Sequence, residues 1–169
     1  IGSCAEYDWT DGGAADRAEC DAARPDTLYG KAKLATATLL EAFCVEAGIG
    51  FAWARLFHLF GPGEHPARFV PSITRPLAEG RPALVRHGGL VRDMMRVEEA
   101  GAALAALVAS ELNGAMNIAS GQGVTLGDFA RQLTGDSPLL KVENLPAPGQ
   151  PARMVADIGR LRGLRSDEA

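Results

Sequence analysis

Two residues one helical turn apart could carry acid–base chemistry. Tyr29 and Lys33 stand in the pattern Y-x-x-x-K, and residues at positions i and i+4 lie on one face of a helix. An ammonium group beside a phenol stabilises the phenolate, so that a tyrosine can give or take a proton near neutral pH. The spacing alone leaves open a second interpretation, in which the tyrosine is partly buried and the lysine is solvated.

A serine near the start of the sequence completes a possible catalytic set. Ser3 stands four residues before Tyr7, and Tyr29-Gly30-Lys31-Ala32-Lys33 follows further along. This layout resembles the C-terminal part of the extended short-chain dehydrogenase/reductase family, the NAD-dependent epimerases and dehydratases of nucleotide sugars. The resemblance implies that Ser3 is the catalytic hydroxyl and Tyr29 the acid/base. Lys33 would tune the tyrosine and, together with Tyr29, contact the cofactor at the nicotinamide ribose.

The resemblance continues in order along most of the chain. The further matching segments are 54–64 (ARLFHLFGPGE), 69–71 (FVP), 91–97 (VRDMMRV), 117–121 (NIASG) and 124–126 (VTL). They imply that Phe57 binds the cofactor near the nicotinamide and that His58 and Arg92 bind the substrate. Arg92 would meet its diphosphate, since a guanidinium offers paired donors to phosphate oxygens. An ion pair of Arg92 with Asp93 or Glu98 is the alternative.

Some residues depart from the family pattern. His58 stands where the family usually has an asparagine, and a histidine can still donate one hydrogen bond. Cys4 and Ala5 stand where the dehydratases carry acidic residues, and a thiol and a methyl group cannot protonate a leaving hydroxide effectively. The sequence therefore favours an epimerase or a 4-keto-sugar reductase over a 4,6-dehydratase. Cys4 as a nucleophile is an alternative to the preferred interpretation, a small residue that fills the core.

The implied reaction is hydride transfer at a sugar carbon, with NAD or NADP as the cofactor and a nucleotide-diphosphate sugar as the substrate. No G-x-G-x-x-G or G-x-x-G-x-x-G turn stands in the sequence, although the pyrophosphate of a dinucleotide needs such a turn at a helix N-terminus. We therefore expect an incomplete chain that is inactive as it stands and forms a homodimer when complete. The alternatives are a non-catalytic cofactor-sensing or scaffold protein of the same fold, and a self-contained helical interaction module.

Composition narrows the class of protein. A formal net charge of -4, with both signs interspersed, does not favour nucleic-acid binding. No apolar stretch approaches the roughly 18 residues of a membrane span. The 3 cysteines include no C-x-x-C pair, and the histidines lack the spacing of a metal pair, so we expect no metal site and a reducing, cytoplasmic setting.

Helical and strand patterns alternate and predict an α/β fold. The predicted helices span about 27–47, 70–78, 98–110 and 125–133, with a short one at the end; the predicted strands lie at 51–60, 83–86, 90–95, 115–119 and 154–155. With the resemblance, this order implies the C-terminal half of a Rossmann-like doubly wound parallel sheet plus a small α/β substrate-binding lobe. Residues 1–63 would end the cofactor-binding domain and carry the Tyr-Lys helix. Residues 64–169 would form most of the lobe, with some elements returning to the main sheet.

Overall fold

Short strands alternate with helices along the chain, as the α/β class requires. The computed structural model describes residues 1–166. The strands are β1 (Gly2–Ser3), β2 (Ala52–Leu56), β3 (His58–Phe60), β4 (Ala83–Val85), β5 (Val91–Arg96), β6 (Gly114–Ile118), β7 (Gly123–Thr125), β8 (Leu140–Val142) and β9 (Arg153–Met154). The helices are α1 (Leu28–Ala47), α2 (Phe69–Ala78), α3 (Val97–Ala109), α4 (Leu126–Thr134) and α5 (Gly159–Ser166), and a 3₁₀ helix spans Cys4–Glu6.

The strands form three sheets. The first is parallel in the order β1-β2-β6, with Ser3 opposite Leu56 and Leu56 opposite Ile118. The second has the order β3-β5-β7, with β9 also paired to β5 and β7 antiparallel to it. The third contains only β4 and β8, which are parallel. Because neighbouring parallel strands end at the same edge, the ends of β1 and β2 meet, and ligands of α/β sheets bind at such edges.

The apolar run at residues 51–60 forms two strands, so the prediction of a single buried strand was wrong. β2 pairs within the first sheet, whereas β3 pairs with β5 in the second. Phe57 lies between them, with its N–H donating to the carbonyl oxygen of Ile118 at 3.1 Å and its side chain buried. Both halves of the run are apolar and neither contains Gly or Pro, so no local signal marks the change of sheet.

Helix α1 has the ends that the sequence predicted. Thr27 is the N-cap, and its side chain accepts a hydrogen bond from the N–H of Gly30 at 3.1 Å. Gly48 ends the helix in the left-handed conformation, with φ of 67°, which glycine adopts without steric cost. Gly30 also lets the helix approach the turn after β1, because a Cβ at this position would lie 2.2 Å from the carbonyl oxygen of Ala5.

Most of α1 faces away from the rest of the described chain. Only Gly30 and Ala37 are buried on this helix. Leu39, Phe43 and Val45 are 72%, 60% and 77% exposed. Scattered apolar residues are normal on a surface, but several large ones exposed on one helix mark a surface suited to contact another apolar surface.

The other elements match their predictions except for two short strands. The helices at 69–78, 97–109 and 126–134 and the strands at 83–85, 91–96 and 114–118 begin and end within one or two residues of the predicted bounds. The sequence patterns did not predict β7 or β8. Each contains 3 residues, too few to show an alternation, and their pairing with β5 and β4 rather than their own composition makes them strands.

Two apolar clusters hold the elements together. The larger lies between the first sheet, α3 and α5, where Met116, Ile118 and Leu161 are almost completely buried. The smaller joins α2, β4 and α4 around Ile73 and Ala130. Both clusters form from residues distant in sequence, so the site described below rests on long-range packing rather than on local helix propensity.

Some classes of feature are absent from residues 1–166. None of their helices is both long enough and apolar enough to cross a membrane. The same residues form no group of three or more His, Cys, Asp or Glu side chains that could hold a metal ion. The cysteines are all free thiols: Cys4 is buried, Cys20 is exposed and Cys44 is intermediate.

Shortening Leu161 tests the larger cluster. Leu161→Ala should lower the free energy of unfolding by about 2–5 kcal/mol, because it removes a fully buried side chain and leaves a cavity. Val108→Ala is the matched control, since Val108 is 86% exposed and its truncation should change stability by less than about 0.5 kcal/mol. Urea unfolding followed by circular dichroism measures both. Equal losses in the two variants would contradict the placement of α5 in the core.

Candidate active site

One cavity of about 420 Å³ gathers five of the six residues expected to form the site: Ser3, Tyr29, Lys33, Phe57 and His58. It lies where β1 and β2 end, beside the first turns of α1. Residues far apart in the sequence are thus brought to the edge of a parallel sheet where ligands of α/β proteins bind. The family resemblance implied these residues, and in the structure they line one space; their roles stay predictions.

The hydroxyl of Ser3 lies at the end of β1 and caps the 3₁₀ helix that follows. Its Oγ accepts a hydrogen bond from the N–H of Ala5 at 3.2 Å. The Ser3 N–H donates to Oε1 of Glu6 at 2.8 Å, which completes a capping box. Oγ thus acts as an acceptor within the turn, and Ser3 lines the cavity.

Tyr29 and Lys33 reach the cavity from the first turns of α1. Tyr29 is 57% exposed, and the Nζ of Lys33 lies 5.9 Å from the centre of its ring. Lys33 also donates from Nζ to the carbonyl oxygen of Ile1 at 3.1 Å. The lysine therefore connects the helix to the strand that carries Ser3 and places a positive charge near the phenol.

His58 begins β3 with a neutral imidazole ring. Burial, followed by the nearby charges of Arg92 and Arg68, lowers the pKa of His58 from 6.5 to about 4. Its Nδ1 is buried and has no hydrogen-bond partner within the described chain. A buried polar atom without a partner costs free energy, and such atoms often mark a site whose ligand supplies the partner.

Arg92 lies on β5, outside the lining of this cavity, although its charge affects His58. The residue is buried, and its guanidinium donates to the carbonyl oxygens of Val91 at 2.8 Å and Pro151 at 3.0 Å and to Oε1 of Gln150 at 3.2 Å. The alternative of an ion pair with an acidic neighbour was wrong. Arg96 pairs with Glu98, whereas the nearest hydrogen-bond partners of the Asp93 carboxylate are the hydroxyl and N–H of Ser120.

The sequence patterns did not predict a role for Arg68, Met154 or Glu6, which line the cavity or lie next to it. Arg68 and Met154 also line the cavity, and Arg68 pairs with Glu64 at 3.5 Å. Glu6 lies behind Ser3 with its side chain fully buried. Arg68 and Met154 come from the start of α2 and from β9, and no local pattern marks them. Glu6 carried one signal, a carboxylate three residues after a serine, which is the spacing of a capping box.

Cys4 fits the core-filling interpretation better than that of a nucleophile. Burial raises the pKa of the Cys4 thiol to about 12, so the reactive thiolate is almost absent at neutral pH. The side chain belongs to the larger apolar cluster. Its carbonyl oxygen accepts a hydrogen bond from the indole of Trp9 at 2.8 Å, which ties the turn to the loop that follows.

Comparison with known proteins identifies the family. The model of the NAD dependent epimerase/dehydratase family matches residues 1–119. The chain therefore belongs to this family. Among curated proteins, no sequence matches the chain significantly.

Solved structures show the same fold. A UDP-N-acetylglucosamine 4-epimerase from Methanobrevibacter ruminantium M1 superposes with a TM-score of 0.86 at 22% identity, over 96% of this chain and 54% of that one. A dTDP-glucose 4,6-dehydratase from Bacillus anthracis str. Ames, solved with NAD, gives 0.84 at 17% identity, over 98% and 54%. A UDP-glucuronic acid 4-epimerase from Bacillus cereus, solved with UDP-glucuronic acid and NAD, gives 0.80 at 19% identity, over 97% and 53%. The predicted Rossmann-like half-fold is confirmed, and the chain spans about half the length of these proteins.

The low pKa of His58 predicts how stability changes with pH. Between the ordinary value of 6.5 and the folded value of about 4, the unfolded chain binds a proton that the folded chain does not. The free energy of unfolding must therefore fall as pH decreases through this window. At pH 4.5, this pKa difference lowers the free energy of unfolding by an amount of the order of 2 kcal/mol.

The variant His58→Asn, which cannot titrate, should lose less stability between pH 7 and pH 4.5 than the unchanged protein does. Denaturant unfolding at both pH values measures the difference. His65→Asn is the matched control for the substitution itself, since His65 is exposed. An identical decrease in the unchanged protein and in His58→Asn would show that His58 is not buried as described.

Proposed function

We propose that this member of the NAD-dependent epimerase/dehydratase family forms the catalytic and substrate-binding half of a nucleotide-sugar 4-epimerase or 4-keto-sugar reductase. The observation that carries the proposal is the presence of Ser3, Tyr29 and Lys33 in one cavity. A hydroxyl, a phenol and an ammonium group at the end of parallel strands suit proton transfer to and from an alcohol.

In the proposed reaction, Tyr29 moves the proton of the sugar hydroxyl. Its deprotonated oxygen takes that proton when the alcohol becomes a ketone, and the resulting phenol returns the proton in the reverse direction. The hydroxyl of Ser3 donates a hydrogen bond to the same sugar oxygen and holds it in place, without giving up its proton. The Nζ of Lys33 lies 5.9 Å from the centre of the tyrosine ring, so a positive charge stands beside the residue that moves the proton.

The cavity fits the nicotinamide end of an NAD cofactor. When bound, NAD would supply the chemistry of accepting and donating a hydride. Lys33 uses one N–H on the carbonyl oxygen of Ile1, and an ammonium group has three donors, so it can also bind the ribose hydroxyls. Phe57 would contact the nicotinamide through its backbone. The glycine-rich turn for the pyrophosphate lies, in this proposal, outside the 169 residues.

The substrate diphosphate would be bound by Arg92 and His58. Arg92 directs two of its N–H groups to backbone carbonyls and a third to Gln150, and a guanidinium has five donors. His58 is neutral because of its low pKa of about 4, so it would contribute a hydrogen bond rather than a charge. Arg68 lines the cavity with His58, whereas Arg92 lies outside its lining; the two guanidinium groups make this region favourable for an anion.

The absence of an acid at the cavity favours an epimerase or reductase over a dehydratase. Among the described residues, the cavity is lined by no Asp or Glu side chain. The one carboxylate beside Ser3 belongs to Glu6, which is buried and engaged by Ser3, Trp53 and Arg55. Removal of water from the sugar needs an acid to protonate the leaving hydroxide, and no carboxylic acid lines the cavity beside Tyr29 to take this second role.

A homodimer is part of the proposal. The exposed apolar side chains of α1, Leu39, Phe43 and Val45, provide a surface that a second copy could cover. Burying such side chains in an interface is favourable by about 25 cal/mol for each Å² of apolar surface removed from water. This surface lies on the helix that carries Tyr29 and Lys33.

Removing the phenolic oxygen of Tyr29 tests the reaction. In the natural polypeptide that carries this sequence, Tyr29→Phe should lower the turnover of UDP-sugars in the presence of NAD by about 10²- to 10⁴-fold, because proton transfer is lost. Its thermal stability should hardly change, since Tyr29 is 57% exposed. Tyr7→Phe is the matched control: it removes the buried hydrogen bond to Asn117 and should reduce stability while turnover persists. Unchanged turnover in Tyr29→Phe would contradict the enzyme and favour a scaffold.

Cofactor binding by the 169-residue chain tests the location of the pyrophosphate site. We expect the purified chain to bind NADH poorly, because no glycine-rich turn is available at a helix N-terminus. The change in nicotinamide fluorescence on titration measures binding. Binding in the micromolar range by this chain would show that a complete cofactor site exists without such a turn.

A further inference from the structure

Glu6 is a fully buried carboxylate that the proposed reaction does not use directly. Its Oε1 accepts the N–H of Ser3 at 2.8 Å. Taking a carboxylate out of water is costly unless several donors replace the water. The hydrogen-bond donors around Glu6 therefore indicate which groups its carboxylate positions.

Two donors from β2 complete the contacts of this carboxylate. The indole Nε1 of Trp53 donates to Oε1 at 3.1 Å and to Oε2 at 3.0 Å. The guanidinium Nε of Arg55 donates to Oε2 at 3.0 Å in an ion pair whose two side chains are both buried. Trp53 and Arg55 lie on one face of β2, two residues apart, so the strand presents both donors to the turn after β1.

Gly2 makes this arrangement sterically possible. A Cβ at Gly2 would lie 2.3 Å from Nε1 of Trp53 and 2.6 Å from Oε1 of Glu6. Any side chain there would separate the indole from the carboxylate. Four residues, Gly2, Glu6, Trp53 and Arg55, are thus fitted to each other directly beneath the backbone of Ser3.

We propose that Glu6 is a positioning residue for Ser3: its buried carboxylate, held by Trp53 and Arg55, fixes the backbone of Ser3 so that the hydroxyl faces the cavity. The inference rests on the proposed function, because it assigns Glu6 a role in the reaction of Ser3. Glu6 holds the N–H of Ser3 while Ser3 Oγ holds the N–H of Ala5. These two bonds leave the serine little freedom, and such preorganisation accelerates a reaction without any contact with the substrate.

The double-mutant cycle of Glu6 and Ser3 separates this role from a structural one. Glu6→Gln keeps the shape and one acceptor oxygen, but it turns an amide NH₂ group toward the donors of Trp53 and Arg55. In the natural polypeptide that carries this sequence, kcat for UDP-sugars should fall about tenfold or more, while KM changes by less than about twofold. When Ser3 is already replaced by Ala, Glu6→Gln should lower kcat no further. An equal decrease in both backgrounds would overturn the proposal.

Tyr7→Phe is the matched control for lost stability. It removes the buried hydrogen bond of 2.7 Å from Tyr7 to Asn117 immediately after the same turn, but it keeps the ring that lies 4.7 Å from the guanidinium carbon of Arg55. It should lower Tm while kcat stays unchanged. If Glu6→Gln does not fold, Trp53→Phe takes its place. That variant removes the indole donor, leaves the bond from Ser3 to Glu6, and should lower kcat in the Ser3 background but not in the Ser3→Ala background.

Amide hydrogen exchange at Ser3 tests the positioning role of Glu6 without relying on enzymatic activity. In the 169-residue chain, the Ser3 N–H should exchange at least about tenfold faster in Glu6→Gln than in the unchanged protein, because its acceptor is weakened. If the unchanged natural polypeptide turns over no UDP-sugar, the proposed function fails, and the exchange rate alone decides whether Glu6 positions Ser3. An unchanged exchange rate would overturn the positioning role whatever the activity.

Discussion

The close approach of α1 to the turn after β1 is the contact on which the site depends. At Gly30 the helix backbone lies so near the carbonyl oxygen of Ala5 that a Cβ would stand 2.2 Å from it. This approach brings Tyr29, the preceding residue, to the same cavity as Ser3. Lys33, one turn later, donates to the carbonyl oxygen of Ile1. A bulkier residue at position 30 would move the phenol away from the serine, and Ser3, Tyr29 and Lys33 would no longer share one space.

A second constraint holds the loop between β1 and α1. Residues 8–26 have little regular structure, yet they are tied to the core by buried polar groups. The Oδ1 of Asn117 accepts a hydrogen bond from the hydroxyl of Tyr7 at 2.7 Å. Its Nδ2 donates to the carbonyl oxygens of Arg17 and Asp157 at 2.7 and 3.0 Å. One amide thus satisfies groups from three segments. Because an unpartnered buried amide would be costly, these bonds specify a single path for the loop that leads into the Tyr-Lys helix.

The sequence was sufficient wherever an element carries its own signal. Thr27 and Gly48 mark the ends of α1, and the spacing of Tyr29 and Lys33 has meaning only on such a helix. Prediction from the sequence failed where the position of a residue depends on pairing with a strand that is distant in the chain. The change of sheet at Phe57 depends on the hydrogen bond to Ile118, and Met154 reaches the cavity only because β9 pairs with β5. Pairing between distant strands leaves no local periodicity, so these contacts could not be deduced from residue patterns.

The exposed face of α1 links association to chemistry. The helix is held to the described chain on one side only, through buried Gly30 and Ala37, while Leu39, Phe43 and Val45 face outward. The same rigid helix fixes the distance between Tyr29 and Ser3. Any surface that covers the apolar side chains therefore stabilises the position of the phenol as well as the helix. A contact that forms only with the folded helix stabilises the whole of α1. Packing at the far end of α1 is therefore coupled to the geometry of the cavity at its first turn.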